Sequence, residues 1–375
     1  MKVEVLKTDP SRWEAGPYHA ALPGPMRLRM RSDGEMIVSA ECDSGYLHRG
    51  LEKCLEQQPW VSSIAYVDHL DPEASAFGEA VFCLAAEEIG KIPVPPRARA
   101  IRILLLELSR ISSHMASVAK MAGTVGAETA IHYVLRDRER VLDLFELVTG
   151  MRFSLNFMRF GGVAADVTEG FIERVLDVCE VIRQKLKEYN DLFTFNNAFL
   201  SRCRGVGVLS REMAGNLGLS GPNARASGVL FDVRKNHPYL GYENLDFEIA
   251  LGREDEGTLG DAHGRFMVRL REIAQSIEIL KQTCDAIPSG EFSSIGVDRE
   301  FKLPSGEAYA RIESSRGLLG CHIASDGGLR PARVQFSAPS VAALQAVEAL
   351  LPGARTEDLA PILASLDISV AEADR

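Results

Sequence analysis

Between Arg99 and Lys120 the apolar residues Leu104, Leu108, Ile111, Met115 and Val118 recur every three or four positions. At about 3.6 residues per turn, that spacing lays them along one stripe of an α-helix. Such a stripe must be buried against other elements, and the sequence supplies them. The same periodicity runs from about Asp71 to Ile89 and over about 134–149, 169–194 and 260–285. A bundle of long helices is the expected core.

The flanks read differently. Residues 1–40 alternate polar and apolar side chains, and MRLRMRSDGEMIVSA sets an SDGE turn between two strand-like runs, the pattern of a hairpin. GYLHRGLEKCLEQQ (45–58) turns into a short helix. After Pro288, YARIESSRGLLGCHIAS and ARVQFSA read as a pair of strands, and a short helix near 340–350 precedes the tail. The stretch 201–250 is glycine-rich with short strand-like pieces. The expected fold class is α+β: a long-helix bundle with small N-terminal and C-terminal β-sheets.

Composition excludes several classes of function. A net charge of −10 over 375 residues argues against nucleic acid or anionic lipid as the main partner. No stretch approaches the roughly twenty apolar residues that span a bilayer. MKVEVLKTDP lacks the apolar centre of a secretory signal, so the chain is expected to stay in the cytoplasm. The seven cysteines are scattered, with none at the close spacing of a zinc or iron–sulfur site. The expectation is that the chain's own thiols hold no metal.

The usual catalytic signatures are absent. GVGVLS (205–210) lacks the third glycine of a dinucleotide loop, and there is no GKS, GKT or HExxH. Glu107, Arg110 and His114 share one helix face. They read either as a buried network bracing the helices or as a proton-handling site. GPYHAALPGPM (16–26) is a loop stiffened by three prolines and two glycines, and it presents His19.

Seven separated segments carry a resemblance: GYLHRGLEK (45–53), ELSRISSH (107–114), RDRERVLDLFELVTG (136–150), FMRFGGV (157–163), RGVGVLS (204–210), RASGVLFDVRKNHPYLGY (225–242) and SLDISVAEADR (365–375). In this order they resemble the D subunit of NADH–quinone oxidoreductase (respiratory complex I), a family related to the large subunit of nickel–iron hydrogenases. The resemblance implies a peripheral subunit with no cofactor of its own and not catalytic alone. Its partners would be a B-like iron–sulfur protein carrying the terminal cluster, a C-like protein, an I-like ferredoxin protein, and an H-like membrane protein that pumps ions. The location implied is the cytoplasmic face of the cell membrane, with quinone possible in a cavity shared with the iron–sulfur partner. Residues 1–70 would hold the hairpin and cavity loop, 71–287 the helical core with a glycine-rich β insertion at about 201–250, and 288–375 an α/β region returning to the cavity.

GPYHAALPGPM is similar to the family's GPQHPxxHG loop over the quinone headgroup, with His19 at its first histidine. The headgroup histidine falls on Pro23. The headgroup tyrosine of the family's YxxRLDY falls on Pro72 of YVDHLDP, whose His69 stands for the arginine. The aspartate of ALDxGA becomes Thr124, and the cluster-side histidine of RxHxxYxR becomes Ser154. Arg49 of GYLHRG matches the residue that in the family lies next to the cluster. Quinone reduction needs protons delivered to two carbonyl oxygens, and proline and threonine supply no ionisable donor. The remaining polar candidates for the cavity are His19, Tyr66, Asp68 and His69. The hydrogenase branch implies two CxxC pairs, yet the tail has Ser369 and Glu372 there, and neither is a soft thiolate. Three functions stay open: a quinone-reducing subunit with a rearranged pocket, a subunit of a hydrogenase-related energy-converting complex with another acceptor, and a structural connector.

Overall fold

The computed structural model describes residues 12–194, 196–296 and 300–375; the start of the expected N-terminal alternation, MKVEVLKTDP included, lies outside the described residues. An antiparallel sheet comes first, with β1 (Arg12–Ala15), β2 (Arg27–Asp33) and β3 (Met36–Asp43) side by side. Helices α1 (Leu51–Gln57), α2 (Trp60–Val67), α3 (Ser75–Gly90), α4 (Pro96–Thr124) and α5 (Glu128–Thr149) follow. The pair β4 (Met158–Arg159) and β5 (Gly162–Val163) leads to α6 (Phe171–Tyr189), continued by a π-helical turn over Asn190–Thr194. Short helices α7 (Asn197–Cys203), α8 (Arg211–Asn216), α9 (Gly221–Ala226) and α10 (Val233–Asn236) precede the long α11 (Ala262–Asp285). A second antiparallel sheet, β6 (Gly306–Glu313), β7 (Leu318–Ser325) and β8 (Arg333–Ser337), is followed by α12 (Pro339–Leu350), α13 (Leu359–Leu366) and α14 (Val370–Asp374).

Helix α4 starts at a double proline. Pro95 holds an extended N-cap, and Pro96 sits in the first turn, where its missing N–H leaves no gap in the ladder. Leu104, Leu108, Ile111, Met115 and Val118 are all buried, each contributing roughly 1.5–3 kcal/mol. The stripe is half of the account. Arg102, Glu107, Arg110 and His114 are buried as well, because α3, α5, α11 and α13 enclose the helix. Buried charges need partners. Arg102 finds Glu87 of α3 (Nη1 to Oε2, 2.9 Å) and the carbonyl of Gly162.

One expectation is corrected. The stretch 201–250 is not a β insertion; among its described residues it forms the short helices above and a 3₁₀ turn at Tyr242–Asn244. Ser210 and Asp232 cap two of these helices by accepting from Met213 N–H and Arg234 N–H. Glycine supplies the corners between them. Gly221 has φ 67°, and a Cβ there would lie 2.5 Å from Gly317 Cα, in the turn between β6 and β7.

The helical bundle holds the larger core, and a second core joins the two ends of the sequence. Met26, Leu28, Met30 and Ile37 of the first sheet pack with Leu344 and Val347 of α12 and Ile362 and Leu366 of α13. The amides of Gly45 and Leu47 donate to Asp374 at 2.8 and 2.9 Å. The first sheet and the helices α12 and α13 therefore share one core.

Candidate functional site

The proline–glycine loop is fixed by its own backbone. Met26 N–H donates to the Pro17 carbonyl (3.2 Å) and Leu22 N–H to that of His19 (3.0 Å). At Gly16, with φ 111°, a Cβ would lie 2.1 Å from the Met26 carbonyl oxygen, so the corner accepts only glycine. The amide of Ala21 donates to His19 Nδ1 at 3.2 Å. With Nδ1 as acceptor, the neutral imidazole carries its proton on Nε2. His19 is exposed.

A cavity of about 570 Å³ opens beside the loop. Its walls are the loop from His19 to Pro23, the last turn of α4 with Lys120 and Thr124, and α13 with the following Asp367 and Ile368. His19, Pro23 and Thr124 are thus brought together. Thr124 donates its hydroxyl to the Met121 carbonyl (2.7 Å), so it can meet a ligand only as an acceptor. Lys120 is committed to both oxygens of Glu73, at 2.7 and 2.8 Å. Glu73 in turn accepts from Arg316 (2.8 Å), which also binds Asp71 and the Asp367 carbonyl. Burial alone would raise the pKa of Glu73, but Arg316 and Lys120 hold it below the ordinary range. Asp367 is likewise held low against its burial by Arg316 and Arg269. The polar rim is therefore a chain of ion pairs. Lys120, Asp367 and α13 escape sequence reasoning, because LAPILASL is a short apolar run without periodicity and its partners lie far away in sequence.

Past Ile368 the tail turns inward. Ser369 Oγ donates to Asp71 Oδ1 (3.2 Å), its amide donates to Ser340 Oγ (3.1 Å), and the Ser340 hydroxyl donates to Glu372. The two segments that would carry CxxC pairs do meet, as hydroxyls and carboxylates. Burial, with the Asp71 charge adding to it and Arg316 opposing it, raises the Glu372 pKa from 4.5 to about 7. This is a buried carboxyl poised to exchange a proton near neutrality.

The other expected residues lie elsewhere. Arg49 is held by the carbonyls of Leu47 (3.2 Å), Ala371 (3.3 Å) and His69. It therefore stands beside His69, outside the cavity walls, and Tyr66 and His69 have exposed side chains there. Asp68 is buried, accepting from Asn156 N–H at 2.7 Å, two residues beyond Ser154. The cavity expected for Tyr66, Asp68 and His69 is one shared with a partner, and the three do not line the cavity beside the loop. Tyr66 lies in the last turn of α2, and the turn that follows carries Asp68 toward the 154–159 loop. Pro72 is also outside the cavity, in a narrow crevice with Ser109, Arg152 and Phe153. Its neighbours Asp71 and Glu73 are both drawn to Arg316, which turns the residue between them away.

Glu107, Arg110 and His114 divide between two networks. Glu107 accepts from Arg110 (3.2 Å), Arg234 (3.2 Å), Tyr242 (2.7 Å) and Ser276 (2.6 Å). Burial opposes its ionisation, yet Arg110 and Arg234 bring its pKa down to about 2. His114 pairs instead with Glu272 of α11 (2.9 Å). Burial lowers its pKa, so the neutral ring donates from Nε2. Burial pushes Cys42, Cys179, Cys203 and Cys284 up to about 12. Among the described residues no group of three or more His, Cys, Asp or Glu is arranged to hold an ion.

Comparison with known proteins adds four findings. The family model described as the respiratory-chain NADH dehydrogenase 49 Kd subunit matches residues 124–298 and 292–375. The D subunit of NADH-quinone oxidoreductase from Desulforamulus reducens is 40% identical over 369 residues, covering 98% of this chain and 99% of the relative. The H subunit of NAD(P)H-quinone oxidoreductase from Thermosynechococcus vestitus is 38% identical, with 100% of both chains covered. Among solved structures, a chain of the membrane-bound sulfane sulfur reductase, an archaeal respiratory membrane complex, superposes with a TM-score of 0.92 at 36% identity, over 97% of this chain and 98% of that one.

Proposed function

The chain belongs to the family of the 49 Kd subunit of the respiratory-chain NADH dehydrogenase, and from that premise we propose that it is the peripheral subunit of a membrane-bound, ion-translocating oxidoreductase, forming one wall of the chamber where electrons meet their acceptor. The observation that carries this reading is the convergence of His19, Pro23 and Thr124 on one cavity closed by the tail. Electrons arrive from the terminal iron–sulfur cluster of a B-like partner. Arg49, its guanidinium held by three carbonyls, presents a fixed positive charge to that cluster. Among the described residues no helix is long and apolar enough to cross a membrane. Attachment at the cytoplasmic face is through C-like, I-like and H-like partners.

Quinone is the acceptor that the relatives' names favour. On this reading His19 Nε2–H donates to one carbonyl oxygen of such a substrate, and Glu372, buried in the tail against Ser340, exchanges a proton near neutrality. A second reading has its own support. With Pro23 and Thr124 offering no side-chain donor to a ligand, and with the likeness to a sulfane sulfur reductase, the chamber suits an acceptor other than quinone.

The purified complex decides between them. NADH-driven quinone reduction, blocked by a cavity-filling inhibitor, supports the first reading. Turnover with other acceptors alone supports the second. A cluster that is reduced while no acceptor turns over would leave the chain a structural connector and overturn both.

A further inference from the structure

The turn after α2 holds a carboxyl pair that the acceptor reading does not use. Asp68 and Glu79 are each 1% exposed. Asp68 Oδ2 accepts from Asn156 N–H at 2.7 Å, and Glu79 Oε2 accepts from the amides of Phe157 (2.8 Å) and Met158 (2.6 Å). Their other oxygens, Oδ1 and Oε1, receive no N–H or O–H from any other group among the described residues. The two carboxyls instead lie within hydrogen-bond reach of each other. Two carboxylates carry only acceptors, so this contact becomes a bond only with one proton between them.

The surrounding charges do not remove that need. Arg159 of β4 and the His69 ring are the basic groups that act on Asp68. Arg159 is spent on the Asn156 side chain (3.2 Å) and the Met158 carbonyl (2.8 Å). Arg102 of α4 is bound to Glu87, and Cys83, a turn along α3, is a buried thiol that burial keeps protonated. Burial raises the pKa of both acids, that of Glu79 furthest, and their mutual contact adds to it for Glu79.

We propose that Asp68 and Glu79 form a one-proton site, sharing a single proton at neutral pH, and that this proton latches the Asn156–Met158 backbone onto α3. The pair titrates as a unit rather than as two residues. Below its pKa the three amide bonds are made to a singly charged pair. Above it, two adjacent negative charges in an apolar setting oppose those bonds and the segment opens. The latch stands on this chain's own geometry and does not require the acceptor reading. Because Ser154 is two residues away, the state of the proton sets the shape of the surface that carries it.

Infrared spectroscopy of the full chain at pH 8, in H2O and D2O, tests the site. The wild type should show a protonated-carboxyl band that shifts in D2O. That band should be lost from both Glu79→Gln and Asp68→Asn, since each amide supplies the missing donor and leaves its partner ionised. A band lost from one variant only, or from neither, overturns the shared proton. Amide hydrogen exchange over 156–158, corrected for its intrinsic pH dependence, should rise about tenfold or more across the pair's titration in the wild type. It should stay flat in Glu79→Gln, and a flat wild-type profile overturns the latch. Should Glu79→Gln fail to fold, Asp68→Asn carries the same exchange comparison.

Discussion

Replacing Glu372 by Gln should stabilise the chain above neutral pH and leave it nearly unchanged in acid. The carboxyl is 1% exposed and accepts the Ser340 hydroxyl, and its pKa is raised from 4.5 to about 7. Between those values the native chain holds a proton that the unfolded chain has released. Stability therefore falls as pH rises through this window. At about 1.36 kcal/mol per pH unit, the gap amounts to about 3 kcal/mol of lost stability by pH 8. Gln keeps an oxygen for Ser340 and an N–H toward the Asp71 carboxylate, but it does not titrate. Urea unfolding of the full chain, followed by circular dichroism from pH 4.5 to 8.5, measures the difference. The variant should match the wild type near pH 4.5 and exceed it by about 3 kcal/mol at pH 8, with equal denaturant slopes. A difference that stays flat with pH, or reverses sign, would refute the claim that this carboxyl is kept protonated by its burial.

Three further outcomes follow from the geometry. His19→Ala removes the Nε2–H donor from the cavity, so acceptor reduction by the assembled complex should fall by roughly 10²-fold while NADH still reduces the terminal cluster. Arg49→Ala withdraws a positive charge held by three carbonyls, and the cluster's potential in the intact complex should move downward; an unchanged potential would show that Arg49 faces something else. Arg102→Met leaves Glu87 buried and unpaired at a cost of about 3–5 kcal/mol. Combining it with Glu87→Leu should restore much of that loss in a denaturation series, because the orphaned charge goes too.

The elements legible in the sequence are those whose burial follows a period. The Leu104–Val118 stripe identifies α4, and the alternation around SDGE identifies a hairpin, whereas YARIESSRGLLGCHIAS, read as one strand, is two, β6 and β7, turning at Ser314–Gly317. What stayed hidden depends on partners distant in sequence. His114 shares a face with Glu107, yet its partner Glu272 lies on α11, and nothing local announces it. The helices within 201–250 run only four to six residues for α8 to α10, too short to show a period, and their caps look like the turn residues of a strand–loop region. At the site, the loop and Thr124 are positions that the resemblance implies for a shared chamber, and both line the cavity beside α13. Lys120 and Asp367 are not legible in that way, because their place is set by Glu73 and Arg316, which no spacing connects to them.

The chamber is walled by residues 19–23 and 360–368, and Asp374 pins the turn at Gly45 to His48. Contacts so remote in sequence close slowly and late. A ribosome-bound chain that has already made its histidine loop and its longest helix still has no compartment until the final helices leave the exit tunnel. The order of synthesis thus leaves this cavity without one of its walls until α13 and the residues after it have been made.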